Sequence, residues 1–451
     1  MAACTLTRIS ALLLAVFPLG AYAADSKASL EPIQHIIVIS LENHSFDNLF
    51  GFFPGADGIT NAKKKAKQRD RRSKVYKSLP PVMDTSTPSP KIDARFPDNL
   101  RNKPFAIEKY VPAGEKTGGL VHRYHQQIDQ IHGGRMDRFA AVSDAGALTM
   151  GYYDGSKLGL WKYAEQYTLA DRFFHAAFGG SFLNHFWMIC ACTPRFPNAP
   201  EELVSRVNRK GELIKGGSVT EDGYAINTVF PIYTPHPPHI KNTEKLLPPQ
   251  DMPTIGDRLS DKGIEWAWYA GGWDDAMEGK AHPSFQFHHQ PFVYFSNYGD
   301  RTSAKSRHLK DERDFLEALK NDTLPAVAFY KPLGKFNLHP SYSDVISGDA
   351  HIVKILQAIE ASPVWKNSVV IVTFDENGGY WDHVPPPKGD RWGPGVRVPT
   401  IIISPFAKKG YVDHTPYDTT SILKFIEKRF ALEPLPTRKK VGDLTGALVL
   451  N

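Results

Sequence analysis

Four runs along the chain are almost unbroken in apolar residues: His35-Ile36-Ile37-Val38-Ile39-Ser40-Leu41, Ala326-Val327-Ala328-Phe329-Tyr330, Val369-Val370-Ile371-Val372-Thr373-Phe374 and Thr400-Ile401-Ile402-Ile403-Ser404. Continuous β-branched runs of this length read as buried parallel strands, because half-exposed strands alternate instead. Residues 264–269 give a fifth. Segments 349–361 and 419–430 repeat apolar residues at three- and four-residue spacing, the pattern of amphipathic helices. Together these elements predict an α/β fold, with a central, mostly parallel sheet and helices on both faces.

The connections are uneven. Residues 193–253 are rich in Pro and Gly, with seven prolines from 231 to 253, and predict a lid or ordered excursion over one end of the sheet. No internal repeat or heptad is present. A chain of 451 residues has room for up to three domains at about 150 residues each, but one domain with insertions fits the pattern better. The first residues are different in kind. Arg8, the apolar run from Ile9 to Leu19 and Ala21-Tyr22-Ala23 form a signal peptide over 1–23, so the mature chain, 24–451, is expected to be periplasmic or secreted. That apolar run is shorter than the roughly 20 residues a membrane span requires, and no later segment reaches that length.

Composition is that of a globular domain: 41% hydrophobic, 12% aromatic and 23% charged, which argues against disorder and multi-span architecture. The formal charge of +6 is localised. Eight basic residues and Asp70 between Lys63 and Lys74 give that run +7; with Arg8 removed, the rest of the mature chain carries −2. The run reads as a solvated, mobile insertion or as a patch for an anionic surface. It has no interleaved aromatics to stack bases, so specific nucleic-acid binding is not expected. The mature chain keeps Cys190 and Cys192, too few for a disulfide scaffold. A bridge between residues two apart would be strained, so both are read as small buried thiols.

Two of the apolar runs end directly in acids. HIIVISL runs into Glu42-Asn43-His44, and VVIVTF into Asp375-Glu376-Asn377-Gly378-Gly379. Open α/β sheets bind ligands beyond the carboxyl ends of their strands. Were these strands neighbours, Glu42, Asn43, Asp375 and Glu376 would form an all-oxygen cage suited to calcium, magnesium or manganese; otherwise the acids cap the helices that follow. In Gly179-Gly180-Ser181-Phe182-Leu183-Asn184-His185 the glycines allow a sharp turn, and an apolar helix follows. That places Ser181 at a helix N-terminus, where an ionised hydroxyl or a phosphate is stabilised, although serine is also a common cap. His122, His288, His289 and His339 lie in suggestive settings for phosphate binding and leaving-group protonation, but spacing alone leaves them equally readable as structural.

The motifs LENHSFDNLFG, HFWMICA after Gly-Gly-Ser, His339-Pro340 and FDENGGYWDHVPPP resemble the bacterial phosphoesterase family of phospholipases C and acid phosphatases, itself similar to the alkaline phosphatase superfamily. The resemblance runs from His35 to about Phe430. It implies an alkaline-phosphatase-like fold and a divalent metal on Glu42, Asn43, Asp375 and Glu376. It also implies Ser181 as nucleophile, His122, His288, His289 and His339 as catalytic imidazoles, and Asn184 and His185 as substrate-binding residues. Ser181 and the His pair look closer to the acid phosphatase branch. The expected function is therefore an exported, metal-dependent phosphatase acting on small phosphate monoesters through a phosphoserine. Two alternatives stand beside it: a phospholipase C, for which the basic run would attach to membrane, and a non-catalytic exported protein binding an anionic surface. Asp382 and His383 read either as supports orienting the late carboxylates or as turn residues. His414 resembles a superfamily site position outside the core set.

Overall fold

The computed structural model describes Met1, residues 29–62 and residues 66–450. The expected signal peptide beyond Met1, and Lys63, Lys64 and Lys65 of the basic run, lie outside the described residues. The main sheet contains β1 (His35–Leu41), β2 (Thr168–Ala170), β3 (Trp266–Ala270), β4 (Leu309–Asp311), β5 (Val327–Lys331), β6 (Ser368–Phe374), β7 (Thr400–Ile403) and β8 (Tyr411–Asp413). Their order across it is β4-β3-β5-β1-β6-β7-β2-β8. The half from β4 to β6 is wholly parallel. β1 and β6 are buried along nearly their whole length, as strands covered on both faces are.

The expectation of a parallel strand at 400–404 is corrected. β7 runs antiparallel to both β6 and β2. Unbroken hydrophobicity reports burial on both faces and carries no information about strand direction.

The helices that matter below are α1 (Phe46–Phe50), α2 (Tyr124–Ile131), α3 (Gly159–Gln166), α4 (Ser181–Cys190), α5 (Ile255–Asp261), α6 (Glu312–Lys320), α7 (Val345–Ala361) and α8 (Thr420–Phe430). α7 packs on α3 and α6, whereas α4 packs on α5 and α8. Every residue of α4 is buried, which explains why large apolar side chains lie on all its sides. Among the described residues, no helix is long and apolar enough to cross a membrane.

Three further expectations meet the structure here. Cys190 and Cys192 are bridged, not free thiols. Ala191 adopts a left-handed conformation (φ 47°, ψ 37°) at the end of α4, turning the chain so that the two Cα atoms stand 5.1 Å apart, inside the normal disulfide range. The described part of the basic run is anchored to the body. Gln68 is fully buried between Asn102 and Met136, Arg69 pairs with Asp137 at 3.3 Å, and Arg71 pairs with Asp129 at 2.9 Å. Residues 193–253 carry short paired strands at 206–207 and 213–215, and Asn227 accepts the Tyr124 N–H at 3.1 Å.

Candidate active site

Three adjacent parallel strands build the floor of the site. β5 ends at Lys331, β1 is followed by Glu42, and β6 is followed by Asp375, with Leu41 in register with Phe374. Neighbouring strands lie about 4.8 Å apart, so these three side chains emerge side by side. Lys331 Nζ stands 2.9 Å from Glu42 Oε1 and 3.1 Å from Asp375 Oδ2. Asn337 Nδ2 donates to Glu42 Oε2 at 2.8 Å, and His289 Nε2 lies against Glu42 Oε1. His185 Nε2 is 3.5 Å from Asp375 Oδ2.

The loops after β1 and β6 interlock above this floor. Asn43 has φ 72°, an unusual conformation that asparagine tolerates better than most residues. Gly378 (φ 60°) presses against it so closely that a Cβ there would sit 2.4 Å from the Asn43 carbonyl oxygen, which accounts for the glycine in the DENGG motif. Glu376 Oε2 accepts the Gly378 N–H, and Oε1 lies 3.8 Å from His122 Nε2. The Asn43 side chain bridges Ser181 Oγ and His122 Nε2, each at 3.4 Å.

Ser181 is the first residue of α4, with Gly180 as a cap that makes no side-chain bond. Its hydroxyl therefore stands at free N–H groups and the positive end of a ten-residue helix. Gly179 (φ 95°) brings the turn within 2.7 Å of the Tyr124 nitrogen for any Cβ placed there. The hydroxyl opens into a cavity of about 530 Å³ that Glu42, His122, His288 and His339 also line.

The structure thus gathers Ser181, Glu42, Asn43, Asp375, Glu376, His122, His288, His289 and His339 around one site. Two placements differ from expectation. Asn184 is not in the cavity wall: its side chain donates to the carbonyls of Ala177, Gly179 and Gly180 and accepts from Ala177 N–H, holding the glycine turn. His185 lies one turn into α4, fully buried beneath the carboxylates, and is not in the cavity wall. Nor is the cage all oxygen. Glu42, His185 and Asp375 offer ligand atoms within 4.8 Å of one another, and so do Glu42, His288 and His289. His414 is largely exposed and pairs with Asp171, away from the cavity.

Lys331 and Asn337 were not foreseen. A charged residue closing a run as apolar as AVAFY was the available signal for Lys331. Asn337 shows itself only through folding, since Leu338 beside it is held at φ 73° while His44 Nε2 bonds its carbonyl at 2.9 Å.

The electrostatics follow from burial. Burial pushes Asp375 up to about 7, with Lys331 opposing and Glu42 reinforcing the shift. Burial and the neighbouring Asp375 hold Glu376 well above the usual carboxylate range. For Glu42, burial acts upward, but His289 and Lys331 outweigh it and the carboxyl lies well below that range. Burial lowers the imidazoles of His122, His288, His289 and His339, the last to about 3, so they are neutral around pH 7. Glu376 Oε1 and both ring nitrogens of His185 are buried with no hydrogen-bond partner, and Glu42 Oε1 and His289 Nε2, though ion-paired or in contact, make no well-formed hydrogen bond. Carboxylate and imidazole atoms left unsatisfied at one point are the donor set a divalent cation completes.

Protons must leave these carboxyls when a cation binds. Mn²⁺ affinity is therefore expected to fall by about tenfold per displaced proton for each pH unit below 7. The linked stability of the metal-free protein runs the other way: a carboxyl raised in the fold contributes stability that is fully present below its unfolded pKa and is lost as pH rises through about 7. Calorimetric titration from pH 5.5 to 7.5 in buffers of different ionisation enthalpy measures affinity and proton release together. A flat affinity without proton release contradicts the assignment.

A second buried network clamps the two loops. Arg397, fully buried, donates to both Asp382 oxygens at 2.9 and 3.2 Å and to Asp47 Oδ1 at 3.2 Å, and its other nitrogen donates to the carbonyls of Asp57 and Asp171. His383 donates its backbone N–H to Asp47 Oδ2, and Ser45 Oγ donates to the Trp381 carbonyl. Asp382 and His383 thus tie the loop after β1 to the loop after β6, with no bond to Asp375 or Glu376.

A serine hydroxyl at a helix head, beside buried carboxylates and imidazoles that suit a cation, is built for the chemistry of anionic esters. The chain belongs to the Phosphoesterase family, whose model matches residues 33–433. Among curated relatives, it is 26% identical to the non-hemolytic phospholipase C of Pseudomonas aeruginosa, across 93% of this chain and 57% of that protein. It is 24% identical to phospholipase C B of Mycobacterium tuberculosis, across 94% and 79%, and 22% identical to the non-specific phospholipase C3 of Arabidopsis thaliana, across 94% and 74%. The chain thus spans little more than half the length of the Pseudomonas relative. Among solved structures, a protein in the alkaline phosphatase superfamily from Vibrio parahaemolyticus aligns over 72% of this chain and 67% of its own at a TM-score of 0.35 and 10% identity.

Proposed function

We propose that the protein is an exported, metal-dependent phosphatase of the acid phosphatase kind, hydrolysing small phosphate monoesters through a phosphoserine at Ser181. The observation that carries this reading is the cavity in front of Ser181. Beyond the site residues its wall is mostly polar, with Thr85, Asp144, Ser218, Asn227, Gln286 and Ser341, which suits a compact polar ester better than paired acyl chains. Glu42, Asn43, Asp375 and Glu376, with imidazoles adjoining, would hold the divalent cation, which when bound supplies charge to ionise a hydroxyl and neutralise phosphate oxygens. Ser181 gives up its hydroxyl proton to solvent and Oγ attacks phosphorus in line as the ester P–O bond breaks; the head of α4 receives the developing negative charge, and water then cleaves the phosphoserine, releasing phosphate and restoring the hydroxyl. The imidazoles of His122 and His339 are neutral in the absence of substrate. A phosphate dianion beside them favours their charged forms, so binding brings in the proton that the departing alcohol takes.

The names of the relatives support a second reading, a phospholipase C that cleaves a lipid phosphodiester. Turnover of the purified mature protein on an aryl phosphate monoester and on phosphatidylcholine vesicles separates the two. The proposal expects kcat/KM for the monoester to exceed that for the lipid by roughly 100-fold or more, a difference of about 3 kcal/mol in transition-state binding. The reverse preference sinks it. A pH profile of the same assay fixes the optimum.

A further inference from the structure

Lys331 has no role in the chemistry above, yet it lies at the centre of the charged cluster. It is completely buried, and its ammonium touches two carboxylates from neighbouring strands, Glu42 at 2.9 Å and Asp375 at 3.1 Å. Those two carboxylates and His185 also form a group whose ligand atoms fall within 4.8 Å of one another. Both nitrogens of His185 are buried without a hydrogen-bond partner, an uncommon state for an imidazole in a protein interior. The group Glu42, His288 and His289 adjoins it through the shared Glu42. Glu42 also belongs to the set assigned above to the divalent ion, so an ion there and a second among Glu42, His185 and Asp375 would share a carboxylate, as ions about 4 Å apart do in two-metal sites.

We propose that Lys331 is a resident cation that fills the position among Glu42, His185 and Asp375, beside the divalent site of Glu42, Asn43, Asp375 and Glu376, and restricts the protein to a single divalent ion. Charge balance gives the reason. Glu42, Asp375 and Glu376 carry three negative charges when ionised, the ammonium cancels one, and a single divalent ion cancels the remaining two. A second divalent ion would have to enter beside a buried positive charge that cannot move into water, at a heavy electrostatic penalty. Removing the ammonium frees Glu42 Oε1 and Asp375 Oδ2, which with His185 provide two oxygens and one nitrogen for a second ion. The inference rests on the metal-dependent reading of the site.

The test compares the wild-type mature chain with Lys331→Met, which keeps the length and removes the charge, and with Lys331→Arg, which keeps the charge. Each is loaded with Mn²⁺, freed of excess metal, and examined by elemental analysis and electron paramagnetic resonance. The expected result is one Mn²⁺ per chain for wild type and Lys331→Arg, with the spectrum of an isolated ion. Lys331→Met is expected to take up two, with the broadened spectrum of a coupled pair. Its melting temperature should also keep rising with Mn²⁺ after that of the wild type has levelled off, because the second ion replaces the lost charge. Two ions in the wild type, one ion in all three chains, or a Lys331→Met chain that Mn²⁺ at no concentration renders soluble overturns the role of Lys331. Failure of every chain to bind Mn²⁺ overturns the metal-dependent reading as well.

Discussion

Ser181→Ala is expected to lower turnover of a phosphate monoester by roughly 10⁴-fold or more while leaving the melting temperature within about 2 °C of wild type. The activity loss follows from position. The hydroxyl stands at the head of α4, faces the cavity, and lies 3.4 Å from Asn43, whose loop also carries Glu42. Among the described residues, no other serine or threonine hydroxyl shares that combination of helix head, cavity and carboxylate cluster. The stability expectation follows from what the side chain does not do. It does not cap the helix, and its bond to Asn43 is long, so alanine at the first helical position removes little and is a good helix former. Steady-state assay with thermal unfolding checks both halves. Intact turnover would remove Ser181 as the nucleophile, and a large drop in melting temperature would recast it as structural. In wild type quenched during turnover, mass spectrometry should find phosphate on the peptide containing Ser181 and on no other.

The largest stability effect is expected at Arg397, outside the cavity. Arg397→Leu leaves Asp47 and Asp382 buried without their shared cation, and breaking a buried pair from one side costs about 3–5 kcal/mol. Burial already raises Asp382 above the ordinary carboxylate range, with Arg397 opposing the shift. Without the arginine the buried Asp382 carboxyl holds its proton more tightly than it does in the unfolded chain. The variant's deficit should therefore be largest where Asp382 is ionised and shrink as pH falls and it becomes neutral. Urea denaturation at pH 5 and pH 8 reads the difference, and Asp382→Asn in the Arg397→Leu background should recover part of it. A variant as stable as wild type at both pH values contradicts this account. Since the network ties the loop after β1 to the loop after β6, weaker metal binding should accompany the lost stability.

Much of this was legible in the sequence for a physical reason. Strands buried on both faces cannot avoid unbroken apolar runs, and a site at the ends of such strands puts its acids directly after them. Glu42 and Asp375 therefore announced themselves, as did Ser181 behind its paired glycines. What stayed hidden depends on which atoms meet across long separations. Asn184 looks like a polar residue of a catalytic motif, and only the folded turn shows its amide committed to three carbonyls. His185 reads as one more site histidine until α4 buries it under Asp375. The direction of β7 was likewise invisible, and so was the Cys190–Cys192 bridge, which exists because one alanine takes a left-handed turn. Lys331 lay in plain view at the end of its strand, but its meaning needs the neighbours that only the sheet order supplies.

The order of strands also bears on how the chain reaches its folded state. β1 is the first of the sheet's strands in the sequence yet lies inside the sheet, and its flanking strands arrive late: His35 bonds to the carbonyl of Pro325, 290 residues onward, and β6 follows later still. An emerging chain thus exposes HIIVISL with no partner until most of the protein has been made. Such non-local pairing slows folding and leaves the early strand open to association with other chains. Holdase chaperones should therefore recognise this segment in the nascent protein. Truncations ending before residue 374 should aggregate instead of folding, whatever their helical content.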